Sequence, residues 1–414
     1  MKSDYQKGGR LFTFFCLYIA QSIPMSFFST VLPVIMRQQN FSLETIGMLQ
    51  LLKLPWILKF LWSPVVDRTT YKLNDFKHWI FSSELIYASI IFSVSFLDFK
   101  ATPCLITGLV ILSFVASATQ DIVTDSLSVL SFSKKDRSLV NSMQSMGSFA
   151  GAMTGGGLLL LLYHKFGWGN LLPFLALFVI IALVPLFFFK GNRGNETVRQ
   201  KQRKKPAFDD ISGFFKQKGI AKQLVFLFLY YAGLIGILAM LKPMLVDYGY
   251  DMKEIGVMSG IVGTSIGCLA SFGGGFVVRK AGCHISRILF AVCTFATTAY
   301  FCLLVSVLPV NTATLHLGIT LLWGSYGMSV VVVYTTAMDC VRPGYEGTDF
   351  TIQTVITHLS GIVMGACSGK IAAMITYKGL FVVEMCIAAT SLIFILFVFK
   401  LKAPIEKDET GITE

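Results

Sequence analysis

Residues 171–205 read LLPFLALFVIIALVPLFFFKGNRGNETVRQKQRKK. The first part, residues 171–189, contains no charged side chain, whereas the second part is rich in Lys and Arg. A helix of about 20 mostly apolar residues spans the roughly 30 Å hydrocarbon core of a bilayer. Basic residues that follow such a helix tend to stay in the cytoplasm. The stretch therefore predicts a membrane-spanning helix followed by a cytoplasmic loop.

The composition of the whole chain agrees with this stretch. The 414 residues are 54% hydrophobic and only 14% charged, and the mean hydropathy is +0.67. Soluble domains carry about 25% charged residues. The composition excludes a soluble globular protein, a disordered chain, a disulfide-stapled secreted domain and a coiled coil, and it indicates an all-α membrane protein with many spans.

Apolar stretches of similar length occur on both sides of the basic loop, six before it and six after it. The twelve predicted spans are residues 11–36, 45–64, 79–97, 103–127, 140–163, 171–189, 224–246, 255–278, 288–308, 313–338, 350–375 and 380–399. The first is too long for the core of a signal peptide, so we expect it to remain as a helix. The predicted organisation is an N-terminal bundle over 1–189, a basic linker over 190–222, a C-terminal bundle over 223–400 and a tail over 401–414.

The distribution of Lys and Arg predicts the topology. With a cytoplasmic N-terminus, 26 of the 35 basic residues fall on the cytoplasmic side, five on the other side and four within spans. This asymmetry follows the positive-inside rule, and an even number of spans places both termini in the cytoplasm. The net charge of +12 is then a surface that faces anionic lipid, and no nucleic-acid partner is needed to explain it.

The two halves of the chain show traces of a duplication. Ile46–Gly47 recurs as Ile255–Gly256, Met143–Gln144 corresponds to Ile352–Gln353, and Gly156 corresponds to Gly365, always 209 residues apart. A shared offset near half the chain length is harder to obtain by chance than any single match. Two parallel six-helix halves around a site at the middle of the membrane form the architecture of the major facilitators, which these features resemble.

Asp121 and Asp125 form the strongest candidate site, in predicted span 103–127. A spacing of four residues puts both carboxylates on one helix face. Two acids in a partly dry cavity repel each other, which favours proton binding by one of them. We therefore expect these residues to couple transport to protons. The alternative is that both are bound by helix ends or by loop residues such as Arg137.

Two Lys residues lie in predicted span 45–64. Lys59 can reach the membrane interface, or it can pair with Asp67 or with an acid of span 103–127. Lys53 lies deeper, where it can attract an anionic solute, pair with Asp121 or simply be tolerated.

Polar and aromatic side chains in several other spans are candidates for binding the solute together with Lys53. They are Gln21, Gln144, Tyr231, Tyr326, Gln353 and His358. For each aromatic residue, core packing is the alternative interpretation.

Two loops resemble the signature G-x-x-x-D-R/K-x-G of the major facilitators. Residues 63–68 contain Asp67 and Arg68 but lack the leading Gly, and residues 275–282 contain Arg279 but lack the Asp. An acid and a base at helix ends can join neighbouring helices by charge-assisted hydrogen bonds that break when the halves move. We expect Lys59, Asp67, Arg68 and Arg279 to form such a conformational latch.

Residues 365–371 (GACSGKI) are one residue short of a nucleotide-binding P-loop and lack its Ser or Thr. The nine Cys include no C-x-x-C pair, and the five His have no metal-ligand spacing. We expect no cofactor, no metal, no ATP-driven transport and no enzymatic activity.

Three stretches resemble the AmpG family of major facilitators: residues 20–24 (AQSIP), 58–68 (LKFLWSPVVDR) and 118–125 (ATQDIVTD). The resemblance implies a multi-pass permease of the bacterial cytoplasmic (inner) membrane that imports anhydromuropeptides with protons. It also points to Lys59, Asp121 and Asp125 as functional residues.

Two related branches share these strings: siderophore importers of the RhtX/FptX type and acetyl-CoA transporters. Twelve predicted spans, residues 54–56 (LPW) and residues 346–353 (EGTDFTIQ) fit the siderophore importers, and Lys53 departs from the AmpG pattern. The expected solute is an anhydromuropeptide and the alternative is a siderophore. An acetyl-CoA-type substrate, or a non-transporting receptor or enzyme, is a weaker alternative. We expect a monomer whose partners are the solute, protons and the lipid bilayer.

Overall fold

A computed structural model describes residues 2–38, 52, 54–98, 101–190 and 209–399, and nearly all of them are helical. The helices before the basic loop are α1 (Lys2–Gln38), α2 (Leu54–Leu58), α3 (Ser63–Thr69), α4 (Leu73–Val94), α5 (Pro103–Ser131), α6 (Arg137–Met153), α7 (Leu159–Ala182) and α8 (Val184–Phe188). The helices after it are α9 (Asp209–Phe215), α10 (Ile220–Leu229), α11 (Ala232–Asp247), α12 (Met252–Ile255), α13 (Thr264–Ala281), α14 (Cys283–Ser306), α15 (Thr312–Asp339) and α16 (Glu346–Val398). Two 3₁₀ turns (Lys59–Leu61, Lys134–Asp136) and two π-helical turns (Thr154–Leu158, Gly256–Gly263) lie between them.

Eight helical stretches of the described chain are long and apolar enough to cross a membrane. One of them, α16, covers two predicted spans and is broken at Ile375 and Thr376, where the φ angle of Thr376 is 62°. α7 is broken in the same way at Gly167, between predicted spans 140–163 and 171–189. α4 and α6 occupy predicted spans but are not among the eight, so the count of twelve stays a prediction.

Helix boundaries repeat with the offset found in the sequence. α5 begins at Pro103, and α15 begins at Thr312, the position that corresponds to Pro103 in the second half. α6 begins at Arg137, and α16 begins at its counterpart, Glu346. Corresponding elements of the two halves therefore begin at corresponding positions, as a duplicated chain requires.

Two predicted spans contain breaks that the sequence analysis did not foresee. The described part of span 45–64 consists of α2, a 3₁₀ turn and α3. At the break before α3, the indole Nε1 of Trp62 donates a hydrogen bond to Thr119 on α5 (3.1 Å). Span 224–246 is interrupted between α10 and α11. The carbonyl of Phe228 near this break accepts a hydrogen bond from Ser360 Oγ (2.6 Å), which satisfies the backbone there.

Glycines allow α1 and α6 to pack at close range. A Cβ atom added at Gly147 would lie 2.8 Å from Cβ of Tyr18, and Gly151 and Gly155 meet the next two turns of α1 in the same way. Small residues at a four-residue spacing permit such approach between membrane helices. The packing brings the polar side of α1 next to α5 and α6, where the candidate site lies.

The described part of the predicted linker is not entirely a tether. Helix α9 is short, and its Phe214 is fully buried against Ile220 and Ile352 of the second half. Residues 191–208 of the linker and 401–414 of the tail lie outside the described residues.

Candidate functional site

A cluster of buried polar side chains lies where α1, α5, α6 and the 3₁₀ turn Lys59–Leu61 meet. Its members are Tyr18, Gln21, Lys59, Asp121, Asp125 and Gln144, and we call them the central cluster. All six side chains are at least nine-tenths buried. Polar groups at this depth are costly unless they bind one another or a ligand.

Asp121 is paired with a cation. Its Oδ2 lies 2.5 Å from Nζ of Lys59, and its Oδ1 accepts a hydrogen bond from Nε2 of Gln21 (2.9 Å). The exposed fractions of the two charged side chains are only 1% for Lys59 and 6% for Asp121. Of the partners that the sequence left open for Lys59, the structure therefore selects an acid of α5 and not Asp67.

Asp125 has hydrogen-bond donors but no paired cation among the described residues. The hydroxyl of Tyr18 donates to Oδ1 (2.6 Å), and Nε2 of Gln144 donates to the same oxygen (3.3 Å). The other oxygen, Oδ2, is buried and has no hydrogen-bond partner within the described chain. The two carboxyl groups thus share one helix face, as predicted, and Lys59 pairs with only one of them.

Side chains of the second half approach this cluster. His358 on α16 is partly buried and lies close enough to Lys59 and Asp121 to feel their charges. Tyr334 on α15 is influenced by Asp121 and Asp125 in the same way. Tyr231 and Tyr326 pack edge to face with 5.5 Å between ring centroids.

Of the predicted solute-binding residues Gln353 and Lys53, the structure describes only Gln353. The amide of Gln353 is fully used inside the second half: Nε2 donates to the carbonyls of Ala337 (3.0 Å) and Asp349 (3.2 Å), and Oε1 accepts from Gln223 (3.0 Å). It is therefore not available to a solute in this conformation. Lys53 lies outside the described residues.

Asp67 connects the two halves at one end of the bundle. Its carboxylate accepts hydrogen bonds from the backbone N–H groups of Gly347 (2.9 Å) and Thr348 (2.7 Å) and from the hydroxyl of Thr348 (2.7 Å). These groups form the first turn of α16, where unpaired N–H groups and the helix dipole favour an anion. Arg68, the next residue, is exposed and makes no ion pair within the described ranges.

Two neighbouring residues at the start of α6 add ion pairs between the halves at the same end. Asp136 binds Lys7 of α1 and lies 3.1 Å from Nε of Arg279 on α13. Arg137 donates to Asp339 (2.7 Å) and to the carbonyl of Met338 (2.9 Å) on α15, so it is not a partner of Asp121 or Asp125.

The environment of Asp136 favours its charged form. Partial burial raises the pKa of Asp136, but the hydrogen bond from Lys7 and the charges of Lys7 and Arg279 outweigh it, so the pKa lies below its ordinary value.

α6 and α13 pack closely beneath these ion pairs. Ser138 Oγ donates to the carbonyl of Gly275 and Ser142 Oγ donates to the carbonyl of Ser271, each at 2.9 Å. A Cβ atom at Gly275 would overlap Ser142 Oγ, so Gly275 is needed for this approach. We call Asp67, Asp136, Arg137 and the residues that they bind the latch end of the bundle.

The sequence analysis missed three residues of these sites. Tyr18 bonds Asp125 directly, and its only signal was a spacing of three residues from Gln21 on the same helix face. Asp136 and Asp339 complete the latch end, but single acids at the ends of helical segments carry no distinguishing sequence pattern.

Comparisons with known proteins agree on a transporter fold. The sequence profile of the Major Facilitator Superfamily matches residues 11–366. An uncharacterised protein of Haemophilus influenzae is 24% identical over 402 residues, covering 92% of both chains. The anhydromuropeptide permease of Escherichia coli (strain K12) is 22% identical over 388 residues, covering 92% of this chain and 78% of the permease.

The solved structure of the proton:xylose symporter XylE superposes with a TM-score of 0.72, covers 96% of each chain and is 10% identical. At this identity the likeness concerns the fold alone. The relatives and the fold are those of transporters and not of enzymes.

Proposed function

Because the chain belongs to the major facilitator superfamily, we propose that it is a proton-coupled importer of anhydromuropeptides in the bacterial inner membrane. It acts as a monomer with twelve spans and two cytoplasmic termini, and its bundles 1–189 and 223–400 rock about the central cluster. The repeated helix starts support two equivalent halves, because α5 and α15 begin at corresponding positions, Pro103 and Thr312. The basic loops support the orientation.

Proton coupling rests on one observation, the unequal surroundings of Asp121 and Asp125. Asp121 is neutralised by Lys59, whereas Asp125 has a buried oxygen without a partner in the described chain. A buried carboxyl without a cation is stable when it holds a proton. Asp125 therefore carries the proton, and the Lys59–Asp121 pair sets the charge around it. Asp121 and Asp125 both belong to the proposed coupling site, but only Asp125 binds the proton.

The solute class rests on similarity together with the character of the neighbouring residues. The similarity to the anhydromuropeptide permease extends over 92% of the chain. Gln21 offers an amide within the central cluster and His358 an imidazole beside it, while the packed pair Tyr231 and Tyr326 offers aromatic rings on the second half. Such a mixture suits a solute with both sugar and peptide parts, for which a pocket needs apolar walls and a few polar anchors. Lys53 is proposed to supply the positive charge.

The latch end closes the cytoplasmic side in this conformation. Asp67 caps α16, and the Asp136–Arg279 and Arg137–Asp339 pairs join the halves beside it. These contacts have to break when the solute is released to the cytoplasm. Lys59 belongs to the coupling site and acts on the latch only through its pair with Asp121.

Uptake of a labelled anhydromuropeptide into proteoliposomes with an imposed pH gradient tests the proposal. The wild-type protein should accumulate the solute with an inward proton gradient. Asp125→Asn should lose accumulation but keep solute exchange without a gradient. Asp247→Asn is the matched control: it alters an exposed acid at the end of α11, and the Asn oxygen can still accept the hydrogen bond that Tyr377 donates to Asp247, so the variant should behave as wild type. Wild-type uptake that does not depend on the pH gradient would refute proton coupling. Uptake of a ferric siderophore in place of the anhydromuropeptide would refute the solute assignment.

A further inference from the structure

Glu84 on α4 is a buried carboxyl outside the central cluster. Its side chain is completely buried, and neither carboxylate oxygen has a hydrogen-bond partner in the described part of the chain. Its helix neighbours Tyr87, Ala88 and Ile91 belong to an apolar core. An ionised carboxylate at such a place would cost far more free energy than a neutral one. The environment therefore accommodates Glu84 with a proton attached.

Within the described residues, no charged group balances Glu84. α4 packs against α5 and α7. Asp121 and Asp125 on α5 and Lys165 on α7, the charged residues described on these two helices, form no hydrogen bond or ion pair with the Glu84 carboxyl. The titratable neighbour that feels its charge is Tyr87, one turn along α4. Glu84 thus makes no direct contact with the charged groups of the Lys59–Asp121 pair.

A polar face of α5 leads from Glu84 to the central cluster. Tyr87 lies next to Ser117 on α5. Both hydroxyl groups are buried, and neither has a partner at ordinary hydrogen-bond distance and angle within the described residues. The next polar groups along α5 are Gln120 and Thr124, whose side-chain atoms are buried and have no protein partner in the described chain either. Positions three and four residues apart share a helix face, so these groups run alongside Asp121 and Asp125.

Buried donors and acceptors without protein partners are usually bound by ordered water, with about three hydrogen bonds to each water molecule. The side chains on this face supply both donors and acceptors: the Gln120 amide supplies both kinds, and the hydroxyl groups of Ser117 and Thr124 act in either sense. A row of such groups and water molecules can pass a proton between two carboxyl groups. No other bond is made or broken in that transfer.

We propose that Glu84 is a second proton-binding site of the transport cycle, reached from the central cluster along the polar face of α5. The proposal rests on the proposed proton-coupled function and adds a second proton to the one carried by Asp125. Each solute molecule then moves with two protons. One carboxyl is bound by Tyr18 and Gln144, and the other is completely buried on α4.

Infrared spectroscopy of the purified full-length protein tests the protonation state without any transport. At neutral pH the wild type should show a protonated-carboxyl band that disappears in Glu84→Gln. Ser117→Ala, which interrupts the polar face but leaves Glu84 in place, should retain the band and slow its shift on transfer to heavy water. A Glu84→Gln spectrum identical to that of the wild type would overturn the proposal. So would a carboxyl band that shifts in heavy water as fast in Ser117→Ala as in the wild type.

The accumulation ratio of the solute tests the second proton. One proton crossing a gradient of one pH unit supplies about 1.4 kcal/mol, a factor of ten in accumulation. With the membrane potential held at zero, Glu84→Gln should lower the ratio about tenfold per pH unit and leave solute exchange intact. Glu384→Gln is the matched control, because Glu384 is also fully buried and its Oε2 likewise has no partner within the described residues. It differs in that it lies on α16, and its Oε1 accepts a hydrogen bond from Ser368 (2.8 Å).

The outcomes separate the two proposals. A proton-coupled wild type with an unchanged ratio in Glu84→Gln would overturn the second site and leave the role of Asp125 intact. Equal losses in Glu84→Gln and Glu384→Gln would also overturn it, because any buried acid would then have the same effect. Wild-type accumulation that does not depend on the pH gradient would overturn both proposals.

Discussion

Replacing Asp121 with Asn should destabilise the protein strongly, because it leaves Lys59 charged and buried without a counter-ion. The pair is separated by 2.5 Å, and Lys59 is 1% exposed. At an effective dielectric constant of about 20, two unit charges at this distance attract by about 7 kcal/mol, most of which offsets their desolvation. Removing one partner of a buried pair typically costs about 3–5 kcal/mol. We expect Asp121→Asn to fall in this range.

The double variant Lys59→Met/Asp121→Asn shows whether this cost comes from the pair itself. The Asn side chain of the double variant can still accept the hydrogen bond from Gln21, and Met fills the space of the Lys stem, so most of the loss should be recovered. The assay is the free energy of unfolding in detergent by denaturant titration, followed for the wild type, both single variants and the double variant. Asp247→Asn is the control, with an expected change within about 0.5 kcal/mol.

A purely additive result would refute this reasoning. If the two single effects sum to the double effect within about 0.5 kcal/mol, the residues do not interact energetically. A single variant that unfolds like the wild type would lead to the same conclusion, because an uncompensated charge at 1% exposure cannot be free of cost. In either case the assignment of Asp121 as the neutralised acid of the central cluster would be lost.

Three further predictions concern the latch end. Asp67→Ala should destabilise the protein by about 0.5–2 kcal/mol, the range for replacing a helix N-cap side chain with Ala, and should make a Cys introduced at the latch end more reactive to a thiol-specific label. Gly275→Ala should reduce transport because the new methyl group meets Ser142, and adding Ser142→Gly should restore it; a failure to rescue would count against close packing as the cause. Since the pKa of Asp136 is lowered, its stabilising effect should be full above the ordinary carboxyl pKa and fade as the pH falls through the lowered value. The difference in melting temperature between the wild type and Asp136→Asn should therefore be constant from pH 8 to about 5 and shrink at lower pH. A difference that grows on acidification would contradict this sign.

The membrane helices could be predicted from sequence because their signal is local. Apolar length alone predicted α15 closely, as residues 313–338 against Thr312–Asp339, but α1 begins at Lys2, well before predicted span 11–36. The four-residue spacing placed Asp121 and Asp125 on one face. The breaks at Trp62 and Tyr231 could not be found in this way. They depend on Thr119 and Ser360, which belong to other helices and bind groups at or near each break.

For a related reason, the sequence could not show which neighbour each polar side chain binds. Lys59 had three possible environments, and the depth of its 3₁₀ turn relative to α5 selects Asp121. Gln353 was expected to bind the solute because it is a polar residue within a predicted membrane span, but its hydrogen bonds to Ala337 and Gln223 hold it inside the second half. Composition identifies a polar residue, whereas only packing decides which of its neighbours binds it.

The duplicated positions show how the two halves have diverged in chemistry while keeping one fold. Gln144 and Gln353 correspond at the offset of the duplication, and each donates to the helix that precedes it, α5 in one half and α15 in the other. In the first half the acceptor is the carboxylate of Asp125, whereas in the second half it is a backbone carbonyl. The residue that corresponds to Asp125 is Tyr334, which lies near enough to feel its charge. If Asp125 binds the proton as proposed, a neutral aromatic side chain at the corresponding position lets protonation of this pair of positions change the charge of only one half. Because the other half keeps its charge, binding or release of a proton alters the interaction between the halves, which is what coupling requires.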